Sequence, residues 1–205
     1  MKRFSMLLLL TALLSALLLS GCAGGADKNG ENDLPAPSSS EPETPEAGNE
    51  AGGAGILSDF TATDLEGNSV DSSIFADYDL TMVNVWATYC GPCLREMPDL
   101  GELADEYEDR GVRVVGLVID TLNADGSISP EQVETARAIV DSTGADYLHI
   151  LPSADLMGVV YQISSVPTTF FVDSTGAQVG SAYLGSKDKE DWAAIIDALL
   201  PEVQK

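Results

Sequence analysis

Trp86-Ala87-Thr88-Tyr89-Cys90-Gly91-Pro92-Cys93 decides how this chain is read. Before it runs Leu80-Thr81-Met82-Val83-Asn84-Val85, mainly apolar and of strand length, as a strand buried on both faces requires. After it, Cys93, Met97, Leu100, Ala104 and Tyr107 recur three and four residues apart, which gathers them on one helix face. The spacing predicts a helix from about Cys93 to Arg110, closed by Gly111. A strand therefore ends, a short loop turns, and a helix begins at the second cysteine. Cys90 then lies at a helix N-terminus, where unpaired N–H groups and the dipole favour a thiolate. The thiolate is the nucleophile. Cys93, one turn further in, is placed to attack a mixed disulfide on Cys90 and expel the partner. Two other readings of the pair stand beside this one. Half of a zinc site would need further Cys or His ligands. A static bridge would close a tiny loop and gain little entropy.

The flanking segments predict an α/β domain. Phe60-Thr61-Ala62-Thr63 and Asn68-Ser69-Val70-Asp71 flank Leu65-Glu66-Gly67 as a hairpin. Ser72 to Tyr78 reads as a short helical piece. Val112 to Ile119 is a second buried strand, and Asp120 to Ser129 is polar and turn-like. Pro130 opens a helix that runs to about Ser142, at a position where its missing N–H costs nothing. Tyr147 to Leu151 is a short strand, with His149 inside it as a packed or edge residue. Asp155 to Tyr161 is a short helix. Thr168 to Val172 and Ala177 to Leu184 are strands about the Asp173-Ser174-Thr175-Gly176 turn. Asp188 to Leu200 closes as an amphipathic helix, with Trp192, Ile195, Ile196 and Leu199 on one side. Alternating strands and helices imply a sheet covered on both faces.

The central octapeptide resembles the thioredoxin active site. Val166-Pro167-Thr168-Thr169, just before a strand, resembles the cis-proline loop of that superfamily. Cys93-Leu94-Arg95-Glu96-Met97-Pro98 and the N-terminal hairpin look like the TlpA/ResA branch of extracytoplasmic thioredoxins. The resemblance implies a thioredoxin-like fold over residues 56–205: a central mixed sheet flanked by helices, with an N-terminal β-hairpin extension. It implies Cys90 as nucleophile, Cys93 as resolving thiol and a redox-active Cys90–Cys93 disulfide. It places a cis Pro167 opposite them, with the Val166 backbone open to an extended substrate segment. Trp86, Tyr89, Gly91, Pro92, Val166 and Thr168 would contact substrate, Trp86 packing beneath the site and Tyr89 more exposed at its rim. No cofactor and no resident metal are implied.

Glu96 lies three residues after Cys93 and shares its helix face. Burial there should raise its pKa and suit it to take the Cys93 proton. In the ResA-like branch a Glu at this position is associated with that tuning. The other reading is a solvated carboxylate interacting with the helix start. Asn84 bears on the choice, because cytoplasmic thioredoxins carry a buried Asp at the matching position. If a carboxyl serves Cys93, Glu96 is the candidate.

The N-terminal residues predict export. Lys2 and Arg3 precede an apolar run, Met6 to Leu19, too short for a comfortable membrane span. It closes on Leu19-Ser20-Gly21-Cys22, which resembles the bacterial lipobox. Residues 1–22 are thus read as a lipoprotein signal peptide, with Cys22 lipidated and holding the chain to membrane lipid. Residues 23–55 are Gly, Ala, Pro, Ser and Glu, too polar to offset their ordering entropy, and are read as an acidic tether. Such a tether reaches roughly 30–35 Å. The whole chain has 205 residues and a formal net charge of −23, with no Lys/Arg cluster, which argues against nucleic acid. The charge also favours a soluble monomer.

The expected activity is that of an extracytoplasmic, membrane-anchored thiol–disulfide oxidoreductase. Gly-Pro between the cysteines resembles the reducing thioredoxins, so the expected direction is reduction of disulfides in exported proteins. A membrane thiol transporter of the DsbD/CcdA type would supply electrons. The alternatives are a net disulfide oxidase or isomerase, and a Cu(I)-binding chaperone using the same soft thiolates, with Met97 the one obvious thioether. A peroxidase is disfavoured, since Thr88 is only two residues before Cys90 and no Thr-x-x-Cys pattern results. The Asp120–Pro130 stretch, with Asn123-Ala124-Asp125-Gly126-Ser127, lacks the ligands of a calcium loop and is expected to contribute to partner choice.

Overall fold

The computed structural model describes residues 55–204; the leader, Cys22, the tether through Ala54, and Lys205 lie outside them. Strand β3 (Leu80–Trp86) is buried at every residue and occupies the centre of the sheet. On one side it pairs in parallel with β4 (Val112–Val118), which pairs in parallel with β5 (Leu148–Ile150). On the other it pairs antiparallel with β6 (Thr168–Asp173), and β6 with β7 (Gln178–Leu184). The order β5-β4-β3-β6-β7 is the mixed sheet that the thioredoxin resemblance implies.

Period-two alternation along β3 sorts its side chains between two layers. Val83 and Val85 face Phe60, Phe75, Phe170 and Val172. Leu80 and Met82 face Leu100 and Leu103 of α1 (Gly91–Tyr107) and Trp192 and Ile196 of α4 (Lys189–Val203). Asn84 and Trp86, in the same alternation, fall on the α1 side. The strand registers then lay His149, Gly116, Asn84 and Thr169 in one row across the sheet. This row is the floor of the site.

The hairpin of β1 (Thr61–Thr63) and β2 (Ser69–Asp71) forms as expected, with Gly67 at φ 87° in its turn. It is tied to β5 by Leu65 N–H to the His149 carbonyl at 3.1 Å and Leu151 N–H to the Thr63 carbonyl at 2.8 Å. An otherwise open sheet edge is thereby covered. Helix α2 (Pro130–Thr143) starts on a Ser129 cap and ends at Gly144, whose φ is 67°.

Three boundaries differ from the sequence reading. Helix α1 starts at Gly91, because Cys90 takes the cap position and Pro92 fits the first turn without needing its N–H. The short helix α3 (Met157–Val160) is a single turn. Helix α4 begins after an Asp188 cap and continues to Val203, since Pro201 forfeits only one bond in a final turn.

Candidate active site

Cys90 caps α1, and its Sγ accepts the Cys93 N–H at 3.3 Å. The turn that delivers it is closed by the Cys90 N–H to the Ala87 carbonyl at 3.0 Å. Cys90 and Cys93 are joined as a disulfide, with Cα atoms 5.3 Å apart. Cys93 is fully buried, whereas Cys90 keeps 5 % exposure, so an incoming sulfur meets Cys90 first. Trp86 and Met97 pack in the same buried cluster, and Tyr89 stands 75 % exposed beside it. Gly91 and Pro92 lie exposed on the first turn.

The Val166–Pro167 peptide bond is cis. Pro167 is buried, and its carbonyl accepts the Gly185 N–H at 2.9 Å. Val166 is half-buried and packs against the cluster that holds both cysteines. Thr168 is buried, its Oγ1 donating to the Ser165 carbonyl at 2.7 Å. The two ends of the sequence signature, far apart in the chain, therefore meet at one end of the sheet.

Glu96 is buried with Cys93 on the inward face of α1. Its Oε1 accepts from Asn84 Nδ2 at 3.0 Å, and its Oε2 from the Lys187 N–H at 3.2 Å and Trp192 Nε1 at 3.4 Å. Burial raises its pKa above the usual carboxylate value, these three donors pull it back, and Asp99 adds a smaller push upward. Asn84 spends its amide N–H groups on Glu96 and on Thr169 Oγ1, also at 3.0 Å. Its Oδ1 is buried without a partner among the described residues.

Behind Trp86 lies His149. Trp86 Nε1 donates to His149 Nδ1 at 3.2 Å, which leaves Nε2 to donate to the Ala145 carbonyl at 2.9 Å. Burial pushes the imidazole pKa down to about 4. Tyr147 stacks on the ring at 4.4 Å between centroids.

The sequence reading named Asn84 and Glu96 but did not pair them with Thr169, Lys187 and Trp192. It took Trp192 only as part of an apolar helix face. The pairing of Thr88 with Asp120 was also missed: the Asp120 carboxylate accepts the Thr88 N–H at 3.0 and 3.1 Å and the Thr88 hydroxyl at 2.6 Å. No local pattern signals a contact between residues 32 positions apart. Among the described residues, no cluster of three or more His, Cys, Asp or Glu side chains is placed to hold a metal ion, and no helix is long and apolar enough to cross a membrane.

Known proteins resemble this chain in sequence and fold. The chain is 27 % identical over 143 residues to the thiol-disulfide oxidoreductase ResA of Geobacillus kaustophilus, covering 70 % of this chain and 75 % of that protein. The ResA of Halalkalibacterium halodurans is likewise 27 % identical, over 70 % of this chain and 74 % of its own. Among solved structures, a thioredoxin-family thiol:disulfide interchange protein from Chlorobium tepidum superimposes with a TM-score of 0.57 at 23 % identity, covering 69 % of this chain and 93 % of that one. A DsbF homologue from Corynebacterium diphtheriae gives 0.57 at 24 % identity, covering 70 % and 85 %. The profile of the AhpC/TSA family matches residues 55–177. With the fold, the cysteine-capped helix and these relatives in agreement, the chain belongs to the AhpC/TSA family and is a thioredoxin-fold thiol-disulfide oxidoreductase whose redox pair is Cys90 and Cys93.

Proposed function

We propose that this enzyme is a membrane-anchored, extracytoplasmic reductase of disulfides in exported proteins. In the reduced enzyme the Cys90 thiolate attacks one sulfur of a target disulfide, and the other target sulfur leaves as a thiolate. Cys93 then loses its proton to Glu96 and attacks Cys90 Sγ. The second target sulfur departs and is protonated, and the enzyme is left in its Cys90–Cys93 disulfide form. Two electrons must come from outside to reset it, a task suited to a membrane thiol transporter of the DsbD/CcdA type. The backbone of Val166 would hold the target segment by strand addition, with Trp86, Tyr89, Gly91, Pro92 and Thr168 shaping the surroundings. Lipidation at Cys22 would hold the enzyme at the membrane, with residues 23–55 as tether.

The observation that carries the direction is the modest support given to a Cys90 thiolate. The helix start and a single N–H···S contact at 3.3 Å favour it, while carboxyl groups at Glu96 and Asp120 stand in the same neighbourhood. A strongly oxidising pair needs its thiolate heavily stabilised. Glu96 as proton acceptor rests on its burial beside Cys93 and its raised pKa.

Equilibration of the purified chain with thiol buffers tests the direction. A potential near roughly −270 mV supports a reductase, and one near roughly −120 mV would make it an oxidase. A Cys93→Ser variant should freeze mixed disulfides on Cys90, and their identification names the substrates. Cys22→Ser should release the protein from the membrane fraction.

A further inference from the structure

We propose that Asp120 is a positioning residue for the redox pair, holding through Thr88 the turn that delivers Cys90 to the start of α1. This needs only the Cys90–Cys93 pair and applies to either direction of electron flow.

Four residues, 87–90, link the end of β3 to the first turn of α1. Tyr89 cannot anchor them by packing, since it is largely exposed. The link's own backbone supplies one closing bond, from Cys90 N–H to the Ala87 carbonyl. Ala87 and Cys90 pack into the buried cluster at either end of the link, and its middle is held from outside: both donors of Thr88 end on the Asp120 carboxylate, the hydroxyl at 2.6 Å and the N–H at 3.0 and 3.1 Å. Hydrogen bonds to an ionised acceptor are the strong ones.

Asp120 is itself fixed. Ile119 N–H bonds the Trp86 carbonyl at 3.0 Å, carrying the β3–β4 pairing one step past the strand ends. Thr121 is fully buried; its Oγ1 donates to the Val118 carbonyl at 3.2 Å, and its carbonyl accepts the Ser129 N–H at 2.8 Å. Ser129 caps α2, and Gln132 Nε2 reaches the Asp120 carbonyl at 3.4 Å. The β4–α2 stretch is thus tied at both ends, and the carboxylate is its contact with the cysteine loop. The sequence suggests here a surface loop that contributes to partner choice, not a tie to the cysteine turn.

Asp120 acts on Cys90 in two opposed ways. By holding the turn it keeps Sγ at the helix start, which favours the thiolate. By its charge it disfavours the thiolate, and none of the ion pairs among the described residues neutralises it. The other charged groups around the pair are Arg95, whose guanidinium lies over Gly91, Glu96 behind Cys93, and Lys187, whose N–H bonds Glu96.

The opposition gives a test by sign. Alkylation of Cys90 by iodoacetamide is followed against pH in the reduced full-length chain, alongside thermal unfolding. Asp120→Ala loses the hold and the charge together; the proposal makes the hold the larger of the two, so the alkylation midpoint should move upward, slowing the reaction at neutral pH by about threefold to tenfold. Asp120→Asn keeps an acceptor for the N–H, and its amide can donate to the Thr88 hydroxyl. It removes only the charge and should move the midpoint downward. Thr88→Val should follow Asp120→Ala with a smaller shift. Midpoints that stay fixed while unfolding temperatures fall would reduce Asp120 to a loop staple and overturn the proposal, as would Asn and Ala variants that shift in the same direction.

Discussion

The polar row beneath α1 has two unlike halves. On the β5 side, His149 closes a saturated chain: the indole of Trp86 donates to one ring nitrogen, and the other donates to the Ala145 carbonyl. Burial holds that ring neutral, with a pKa near 4. On the β6 side, Glu96 is surrounded by donors from three elements, yet Asn84 Oδ1 is left without a partner among the described residues. Gly116 separates the halves, and a Cβ there would meet His149 Nδ1 at 2.1 Å and Trp86 Nε1 at 3.0 Å. The closed half suits a fixed floor for the cysteines. The open half suits a group that must change protonation during turnover. The difference lies between the Trp86–His149–Ala145 chain, paired throughout, and the Asn84 amide with its spare acceptor; the Tyr147 hydroxyl, on the ring stacked against His149, stands outside that chain and also lacks a partner among the described residues.

The largest break in the comparison should come from Glu96→Gln. Removing a general base costs about a hundredfold or more in the step it serves. Release of a preformed mixed disulfide should slow by that order and lose its pH dependence, as measured by stopped-flow mixing over pH 5–9. An unchanged rate would assign the proton to another acceptor. Stability should respond in the opposite sense. A carboxyl whose folded pKa is raised contributes fully below its unfolded value of about 4.5 and loses that contribution as pH climbs through the folded pKa. The Gln variant should lack that loss.

His149→Phe tests the closed half. The variant strands the Trp86 donor and the Ala145 acceptor, which costs roughly 1–3 kcal/mol at pH 7. The pH trend runs opposite to that of Glu96. With the folded pKa depressed to about 4 from 6.5, the unfolded chain binds the proton first. His149's contribution is complete above pH 6.5 and is lost as pH falls toward 4, amounting to roughly 3 kcal/mol across the window. Urea unfolding should therefore show the variant clearly weaker at pH 7 and the gap narrowing or reversing by pH 5. A gap constant with pH would mean that the imidazole is not the titrating group. Cys90 reactivity at pH 7 should change much less than in Glu96→Gln.

How far these halves were legible in the sequence follows from what local patterns encode. The seven residues of β3 came from an apolar run of strand length, the hairpin from its turn residues, and the inward turn of Glu96 from its three-residue spacing from Cys93. Asn84 was recognised as a neutral residue in an apolar strand. The row itself was not legible, because it depends on the registers that set Gly116 against Asn84 and His149 against Gly116. A slip of one residue would point those side chains to the other face. Trp192 was read correctly as an apolar helix residue, but its Nε1 finds Glu96 only because α4 packs beside α1. The two-residue error at the start of α1 has a local origin: the apolar spacing begins at Cys93, whereas Cys90 takes the cap and Pro92 the first turn.

The smallest expected effect, and the sharpest for the open half, comes from Thr169→Val. Valine keeps the shape and suits a strand, so packing in β6 should survive. What is lost is the Oγ1 acceptor for Asn84 Nδ2 at 3.0 Å. One amide hydrogen is then unpaired in a buried site, a cost of about 1 kcal/mol by urea unfolding. Glu96 keeps its bonds to Lys187 and Trp192, so release of the mixed disulfide should slow by less than about threefold, the rate equivalent of well under 1 kcal/mol. If the rate instead falls as far as in Glu96→Gln, the orientation of the Asn84 amide governs the proton transfer. The open half would then need its hydrogen bonds as strictly as the closed one, and the contrast between them would fail.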